Sequence, residues 1–270
     1  MNLSKRSFIK ETFVCSQGRG KRVITVHGGP GLNHQYLKYG LIPLESEYCL
    51  VYYDQLGCGE SLINISDINI KNCCLQLKEV IENFSFENPI ILLAHSWGCL
   101  LVLETLKQWP HLNIGTCVFI SPMPFSKREW DRCQNLFWNK LSDNIKQDIA
   151  EINSSNIKDK DFLLFNKILP FYVHAALDVR QLHINEYNGA VQESLIRQLG
   201  DYKYTESQLK AVLPSKTIVF YGDKDFVWQD IKVPQYIQEK SIFLHNVGHF
   251  PFYESPKKFK LCLESSLDRA

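Results

Sequence analysis

The chain has 270 residues, of which 45% are hydrophobic and 22% charged, and its 30 basic and 29 acidic side chains leave a formal net charge of +1. This is the composition of a globular protein, which excludes a disordered chain, a collagen-like fibre and a coiled coil. The balanced charge does not favour a nucleic-acid partner, and no apolar run approaches the about 20 residues that cross a bilayer. We therefore expect neither a nucleic-acid nor a membrane partner.

The cysteines indicate a reducing compartment. There are nine, an odd number, scattered among apolar positions without a CxxC pair. This pattern is typical of buried cysteines that form no disulfide, so we expect a cytoplasmic location and no metal. Residues 1–6 carry positive charge with no apolar stretch behind them, which is unlike a signal peptide.

Short β-rich runs alternate with helical stretches in chain order. The predicted strands are residues 8–15, 22–26, 48–53, 89–94, 117–120, 216–221 and 242–244. The predicted helices between and after them are residues 66–84, 97–109 and 254–267. Strands separated by helices are joined by right-handed crossovers, which predicts an α/β fold with a mostly parallel central sheet flanked by helices. At the N-terminus we expect a single strand rather than a hairpin.

This alternation stops for about 90 residues before the strand at 216–221. The interrupting stretch is charged, rich in aromatic residues and helix-like, and it is too long to be a loop. We therefore expect a core made of residues 1–121 and 214–270, and a helical cap made of residues 122–213.

The segment Ala94-His95-Ser96-Trp97-Gly98 follows an apolar strand and precedes a helix. A nucleophile elbow needs this context, with small residues two positions before and after the nucleophile. Gly98 meets the requirement, and the single methyl group of Ala94 is tolerable. The segment predicts Ser96 as a nucleophile. The alternative is a serine that only caps the helix.

The glycine-rich segment at 27–31 (HGGPG) follows another predicted strand. Glycines allow the backbone to approach a ligand and present its N–H groups. An acyl-transfer site needs two such donors for the developing oxyanion. We expect one from Trp97, next to the nucleophile, and one from Gly29, with Gly28 as the alternative. A phosphate-binding loop would need a Gly-Lys-Ser/Thr sequence, which this segment lacks.

A serine nucleophile needs a general base, and the expected chain order is nucleophile, acid, base. His249 lies after the last predicted strand and before the final helix, which makes it the predicted base. Asp225, three residues past Gly222, is the predicted acid that holds the imidazole in its tautomer. Asp223 is the alternative acid.

Together these motifs resemble one family. They are the HGGPG segment, the segment 53–61 (YDQLGCGES), the Ser96 elbow, Asp225 and His249, and they are similar to α/β-hydrolases of the proline iminopeptidase type. The resemblance covers about residues 7–121 and 214–267. It implies an α/β-hydrolase fold and a serine aminopeptidase that releases an N-terminal residue, usually proline, without metal or cofactor. It also implies that Asp54 and Ser61 brace the loops around the elbow.

The sequence departs from that family at the expected partner of the substrate amine. Some members carry an acidic residue directly after the catalytic aspartate, where this chain has Phe226, and Leu56 replaces the usual arginine of the DQRG motif. Glu186 and Glu193 are the predicted substrate-binding carboxylates. A desolvated amine needs such a partner, so the aminopeptidase prediction fails without one while the hydrolase prediction stands.

Three functions remain open at this stage. The first is an aminopeptidase acting on a short peptide or a related small molecule. The second is a carboxylesterase or another small-molecule acyl hydrolase with the same Ser-His-Asp machinery. The third is a hydrolase fold without activity that serves as a binding protein.

Overall fold

The computed structural model describes residues 5–85, 88–174 and 177–268. Their strands form one eight-stranded sheet in the order β1-β2-β4-β3-β5-β6-β7-β8. The strands are β1 (Lys5–Ile9), β2 (Thr12–Gly18), β3 (Lys21–Val26), β4 (Tyr48–Tyr53), β5 (Ile90–His95), β6 (Ile114–Ile120), β7 (Thr217–Gly222) and β8 (Ser241–Leu244). Pairing is antiparallel where β2 meets β1 and β4, and parallel from β4 through β8. The predicted mostly parallel sheet is confirmed.

Eleven helices accompany the sheet in the described residues. They are α1 (Gln35–Gly40), α2 (Ile70–Phe84), α3 (Trp97–Gln108), α4 (Lys127–Lys140), α5 (Asp143–Ser154), α6 (Lys160–Ile168), α7 (Gly189–Leu199), α8 (Glu206–Val212), α9 (Gln235–Gln238), α10 (Pro251–Glu254) and α11 (Pro256–Asp268). Within that part of the chain, none is both long and apolar enough to cross a membrane.

The sheet is covered on both faces, so most residues of its central strands are buried. Every residue of β5 is buried, as expected for a parallel strand between two helical layers. One apolar cluster joins one sheet face to α2, α3, α8 and α9. The other cluster joins the opposite face to α1, α10 and α11.

Parallel pairing brings the functional loops together. The strands β3, β5, β7 and β8 end at Val26, His95, Gly222 and Leu244. Because parallel strands point the same way, the loops after them leave from the same edge of the sheet. These loops carry four of the predicted site residues, Gly29, Ser96, Asp225 and His249.

The prediction of a single N-terminal strand over residues 8–15 is wrong. The structure has a hairpin there, in which Phe8 pairs with Phe13 and Ile9 with Thr12. The chain reverses at Lys10, whose φ of 53° lies in the left-handed region. Because this turn contains neither glycine nor proline, the sequence pattern does not mark it.

The segment predicted as a cap is helical. In the described residues of 122–213 the structure has helices α4 to α8, and an isolated antiparallel bridge joins Ser126 to Lys203. A small apolar cluster attaches the segment to the core, because the ring of Phe137 in α4 stacks on Phe226 at a centroid distance of 4.6 Å. The last helix, α8, contacts α3 and α9 and so lies in the layer beside the sheet.

Candidate active site

Ser96 lies in the turn between β5 and α3, with φ 54° and ψ −119°. A positive φ is uncommon for a residue with a Cβ atom and marks local strain at a functional turn. The Ser96 N–H donates to the Ile120 carbonyl at 3.0 Å, and the Ser96 carbonyl accepts from the Met123 N–H at 3.2 Å. These bonds fix the turn so that Ser96 lines a cavity.

Close backbone approach explains the small residues around the elbow. A Cβ atom on Gly98 would lie 2.4 Å from the Val26 carbonyl oxygen, so the start of α3 requires glycine. On the other side Ala94 is completely buried in β5, where its methyl group is accommodated. The elbow therefore forms with alanine in place of the first glycine.

Asp225 and His249 form a buried pair. His249 Nδ1 and Asp225 Oδ2 are 2.7 Å apart, and both side chains are almost completely buried. The other carboxylate oxygen accepts the N–H of Val227 at 3.0 Å. With Nδ1–H donating to the carboxylate, the second ring nitrogen, Nε2, is left to act as a base.

The alternative acid lies elsewhere. Asp223 Oδ2 is 2.6 Å from Nδ1 of His245, whose side chain is 73% exposed. This second carboxylate–imidazole pair is on the surface, whereas the Asp225–His249 pair adjoins the cavity. The structure brings Asp225, and not Asp223, to the predicted base.

Ser96 and His249 line one small cavity of about 80 Å³, together with Gly29. Much of its wall comes from residues 122–213, namely Trp130, Gln134, Phe165, Tyr172, Tyr187 and Gln192. A hydroxyl, an imidazole held by a carboxylate and a glycine-rich backbone segment therefore meet at one surface. This is the set of groups that acyl transfer requires.

Gly29 and Trp97 are the predicted oxyanion donors, and their backbone positions are compatible with that role. Gly29 adopts a φ of 116°, and a Cβ atom there would lie 2.7 Å from the Gly31 nitrogen, so the position requires glycine. Trp97 is the first residue of α3, where backbone N–H groups have no partner inside the helix. Both positions adjoin Ser96 or its cavity.

His95 links residues 27–31 (the oxyanion loop) to residues 245–250 (the His249 loop). Its Nε2–H donates to the His249 carbonyl at 2.9 Å. Burial and the neighbouring His249 hold the pKa of His95 well below its ordinary value, so the ring is neutral and Nδ1 accepts from the Tyr36 hydroxyl at 2.8 Å. The Tyr36 oxygen accepts the Gly28 N–H at 2.6 Å. Because that N–H is occupied, the geometry favours Gly29 over Gly28 as the oxyanion donor.

The segment 53–61 braces the site. Gln55 donates from Nε2 to the His27 carbonyl at 2.6 Å and accepts from Trp97 Nε1 at 3.0 Å, so it ties the elbow to the glycine-rich segment. Asp54 accepts from Nδ1 of His34 at 2.7 Å and from the Glu60 N–H at 2.9 Å. These side chains hold loops and do not line the cavity.

Glu254 is a site residue that the sequence reasoning missed. Its carboxylate accepts three backbone N–H groups, from His174 at 2.7 Å, Gly248 at 2.8 Å and Phe250 at 2.9 Å. It thereby holds the two neighbours of His249 in place. No local sequence signal marks Glu254, because its role depends on the backbone N–H groups that the fold places beside the end of α10.

The two predicted substrate carboxylates lie outside the cavity. Glu186 accepts from Asn33 Nδ2 at 2.7 Å and lines a separate groove. Glu193 is 79% exposed, lies 3.9 Å from Arg197 and lines an outer cleft. The structure therefore does not bring either one to Ser96. In the described residues, no cluster of three or more His, Cys, Asp or Glu side chains is arranged to hold a metal ion.

Comparison with known proteins identifies the family. Residues 23–260 match the model of the alpha/beta hydrolase family, which is most of the chain. The chain belongs to the α/β-hydrolase family. This confirms the predicted fold class, and the enzyme class of the chain is hydrolase.

Individual relatives of this α/β-hydrolase are mostly remote. It is 26% identical to a proline iminopeptidase of Saccharolobus solfataricus, over 94% of this chain and 86% of that protein. It is 25% identical to one of Lactobacillus crispatus, over 96% of this chain and 95% of the other.

Solved structures show the same fold. The proline iminopeptidase of Mycobacterium smegmatis superposes with a TM-score of 0.69 at 16% identity, covering 98% of this chain and 97% of its own. An esterase of Thermogutta terrifontis superposes with a TM-score of 0.67 at 16% identity, covering 95% and 92%. Because one fold carries both an iminopeptidase and an esterase, it does not determine the substrate.

Proposed function

We propose that this α/β-hydrolase is a serine hydrolase that cleaves an ester or amide of a small acyl group. The observation that carries the proposal is the buried Asp225–His249 pair, 2.7 Å between Oδ2 and Nδ1, at a cavity that Ser96 also lines. In this proposal Ser96 is the nucleophile, His249 the general base and Asp225 the acid that fixes the imidazole.

The reaction proceeds in two halves. Ser96 Oγ attacks the substrate carbonyl while His249 Nε2 takes its proton, and the oxyanion is held by the N–H groups of Gly29 and Trp97. His249 then gives the proton to the leaving alcohol or amine as the carbonyl–leaving-group bond breaks. In the second half water attacks the acyl-enzyme, with His249 accepting its proton and returning it to Ser96.

The shape of the site supports a small acyl group. The inner cavity is about 80 Å³, whereas an outer cleft of about 730 Å³ adjoins it. Trp130, Gln134 and Gln192 line both spaces. An acyl group in the inner cavity therefore leaves room for a larger leaving group in the cleft.

An aminopeptidase is the second candidate. It is supported by relatives named proline iminopeptidases that match over more than nine-tenths of this chain. Such an enzyme must also hold a charged amine, for which Glu186 and Glu193 stand too far out to line the cavity. An acyl hydrolase that does not need to bind an amine therefore agrees better with the geometry than an aminopeptidase does.

Labelling with a fluorophosphonate probe tests the proposal. We expect the wild-type chain to be labelled once, at Ser96, and Ser96→Ala to abolish labelling and lower kcat/KM on a p-nitrophenyl ester by about 10⁴-fold or more. Ser207→Ala, on the exposed side of α8, is the matched control and should be unaffected. If the wild-type chain is not labelled, a binding protein without activity becomes the better interpretation.

We further propose a reducing, cytoplasmic compartment. All nine cysteines are free in the structure, and seven of them are buried. Thiols in this state are typical of reducing compartments.

A further inference from the structure

The wall of the catalytic cavity contains a hydrogen-bond donor that the protein does not use. Gln134, in α4, lines the cavity together with Ser96 and His249. Its side-chain nitrogen, Nε2, is buried and has no hydrogen-bond partner within the described chain. A buried amide N–H without a partner is unfavourable, and an acceptor atom of a ligand would remove that penalty.

Gln134 also lies at the junction between the two spaces of the site. With Trp130 and Gln192 it lines both the inner cavity and the outer cleft. A substrate with its acyl group in the cavity and its leaving group in the cleft must pass this side chain. Its position is therefore suited to contact the substrate itself.

In the described part of the chain, no lysine or arginine lines the cavity. Among the described residues, no aspartate or glutamate lines it. Glu193 lies in the outer cleft, and Asp161 and Glu186 lie in a groove that shares Tyr187 with the cavity. Asp225 is buried and already bonded to His249. A protonated amine in the cavity would lack a carboxylate partner, which makes its burial unfavourable.

We propose that Gln134 is a substrate-binding residue whose Nε2–H donates to an acceptor oxygen of a small, uncharged acyl group. The inference rests on the proposed serine hydrolase function and narrows its substrate class. It makes the neutral acceptor, rather than a cationic amine, the group that the cavity recognises.

Three ring amides of nearly equal size separate charge from hydrogen bonding. Tetrahydrofuran-2-carboxamide has a ring oxygen as acceptor, cyclopentanecarboxamide has none, and L-prolinamide carries a cationic amine at pH 6.5. The measurement is how strongly each protects Ser96 from a fluorophosphonate probe. For the wild-type chain we expect the oxygen ring to bind roughly 3- to 10-fold more tightly than the carbon ring, and L-prolinamide to bind most weakly.

Two substitutions at Gln134 test its part in this order. Gln134→Leu should abolish the advantage of the oxygen ring and leave the carbon ring within about twofold of the wild-type value. Gln134→Glu supplies a carboxylate and should shift the preference at least about tenfold towards L-prolinamide. Asn135→Asp makes the same amide-to-acid change on the next, exposed residue of α4 and should leave the order unchanged.

The inference is overturned if the wild-type chain binds L-prolinamide most tightly, if none of the amides protects Ser96, or if Gln134→Leu retains the oxygen preference. The order in which the three amides protect Ser96 is measured on the wild-type chain. It therefore tests the inference even if a substituted chain fails to fold. Absence of labelling at Ser96 is a different result, because it removes the proposed hydrolase function and the inference with it.

Discussion

The hydroxyl of Tyr36 stands between two parts of the site, because it accepts from the Gly28 N–H and donates to His95. Tyr36→Phe leaves that buried N–H without an acceptor and frees the oxyanion loop to move. We expect kcat to fall about tenfold with KM nearly unchanged, because the proposed oxyanion donors stabilise the transition state more than the bound substrate. Steady-state kinetics on a p-nitrophenyl ester measures both constants.

The matched control is Tyr39→Phe, which changes an exposed tyrosine of the same helix. It should alter neither constant. A rise in KM at constant kcat for Tyr36→Phe would show that the hydroxyl acts on substrate binding instead of on the oxyanion loop.

The two carboxylates after β7 give a sharper comparison. Asp225→Asn should lower kcat by about 10³- to 10⁴-fold, because the amide no longer holds the productive tautomer of His249. Asp223→Asn should change kcat less than about threefold, since Asp223 pairs with the exposed His245. Parallel kinetics on the two variants checks the assignment, and the opposite ranking would transfer the role to Asp223.

At this scale the sequence located the residues that local motifs mark. The elbow motif distinguished Ser96 from the other serines, and chain order together with its place after the last strand distinguished His249 from the other histidines. Glu254 and Gln134 could not be found in this way. Their roles depend on which backbone N–H groups or which cavity the tertiary fold places beside them, and nothing in their sequence neighbourhood encodes that.

Among the helices and strands, the sequence predicted a strand well where helices cover both faces of the sheet. The run at 89–94 is apolar without a break because helices cover both faces of β5 (Ile90–His95), so its identity as a strand was readable. The N-terminal hairpin was not readable, since its reversal at Lys10 has no typical turn residue. Helix α2 begins at Ile70 instead of residue 66, because the Asn69 side chain caps it by accepting from the Asn72 N–H.

The loop between β8 and α10 depends on one carboxylate from the helix that follows it. Glu254→Gln removes one of the two oxygens that accept the N–H groups of His174, Gly248 and Phe250. We expect the rate of fluorophosphonate labelling to fall about tenfold, because His249 is held less firmly. Hydrogen exchange of the amides at 248–250 should quicken at the same time.

Glu239→Gln is the control, since this exposed carboxylate directly follows α9 and accepts from Gln235 of that helix instead of from the loop. If Glu254→Gln quickens exchange at 248–250 without slowing labelling, the carboxylate stabilises the loop but does not set the position of the base.

For the molecule as a whole, buried histidines predict how stability depends on pH. Burial lowers the pKa of His27 to about 4. Below pH 6.5, the ordinary pKa of histidine, His27 becomes protonated in the unfolded chain but stays neutral in the folded chain down to about pH 4. The free energy of unfolding therefore falls as the pH falls. The loss from this residue is about 2 kcal/mol between pH 6.5 and pH 5. His95 contributes in the same direction.

His34 has the opposite effect. Burial alone would lower its pKa, but the hydrogen bond and charge of Asp54 raise it to about 9. The stabilisation is complete below pH 6.5 and is lost as the pH rises through 9. Urea unfolding at pH 5, 6.5 and 9 should therefore show a maximum near pH 6.5.

Substitutions identify which group causes each side of that maximum. His27→Gln should flatten the acid side, and the double change His34→Gln with Asp54→Asn should flatten the alkaline side without leaving a charge buried alone. Wild-type stability that keeps rising from pH 6.5 to 9 would contradict the assignment to His34.

Composition and the spacing of the strands predicted a helical segment at 122–213, and the structure has α4 to α8 there. They did not predict how these helices pack against the core, because contacts such as Phe137 on Phe226 join residues 89 positions apart. That placement decides which side chains form the cavity. The sequence therefore indicated the chemistry of the site more clearly than its preference for a substrate.

The proposed catalytic residues and the proposed substrate-contacting residues come from separate stretches of the chain. Ser96, Asp225 and His249 come from turns at the edge of the sheet, whereas Gln134, Tyr187 and much of the rest of the cavity wall come from the segment 122–213. In the proposed hydrolase, replacing wall residues of 122–213 is therefore expected to change substrate preference more than the rate of the chemical step.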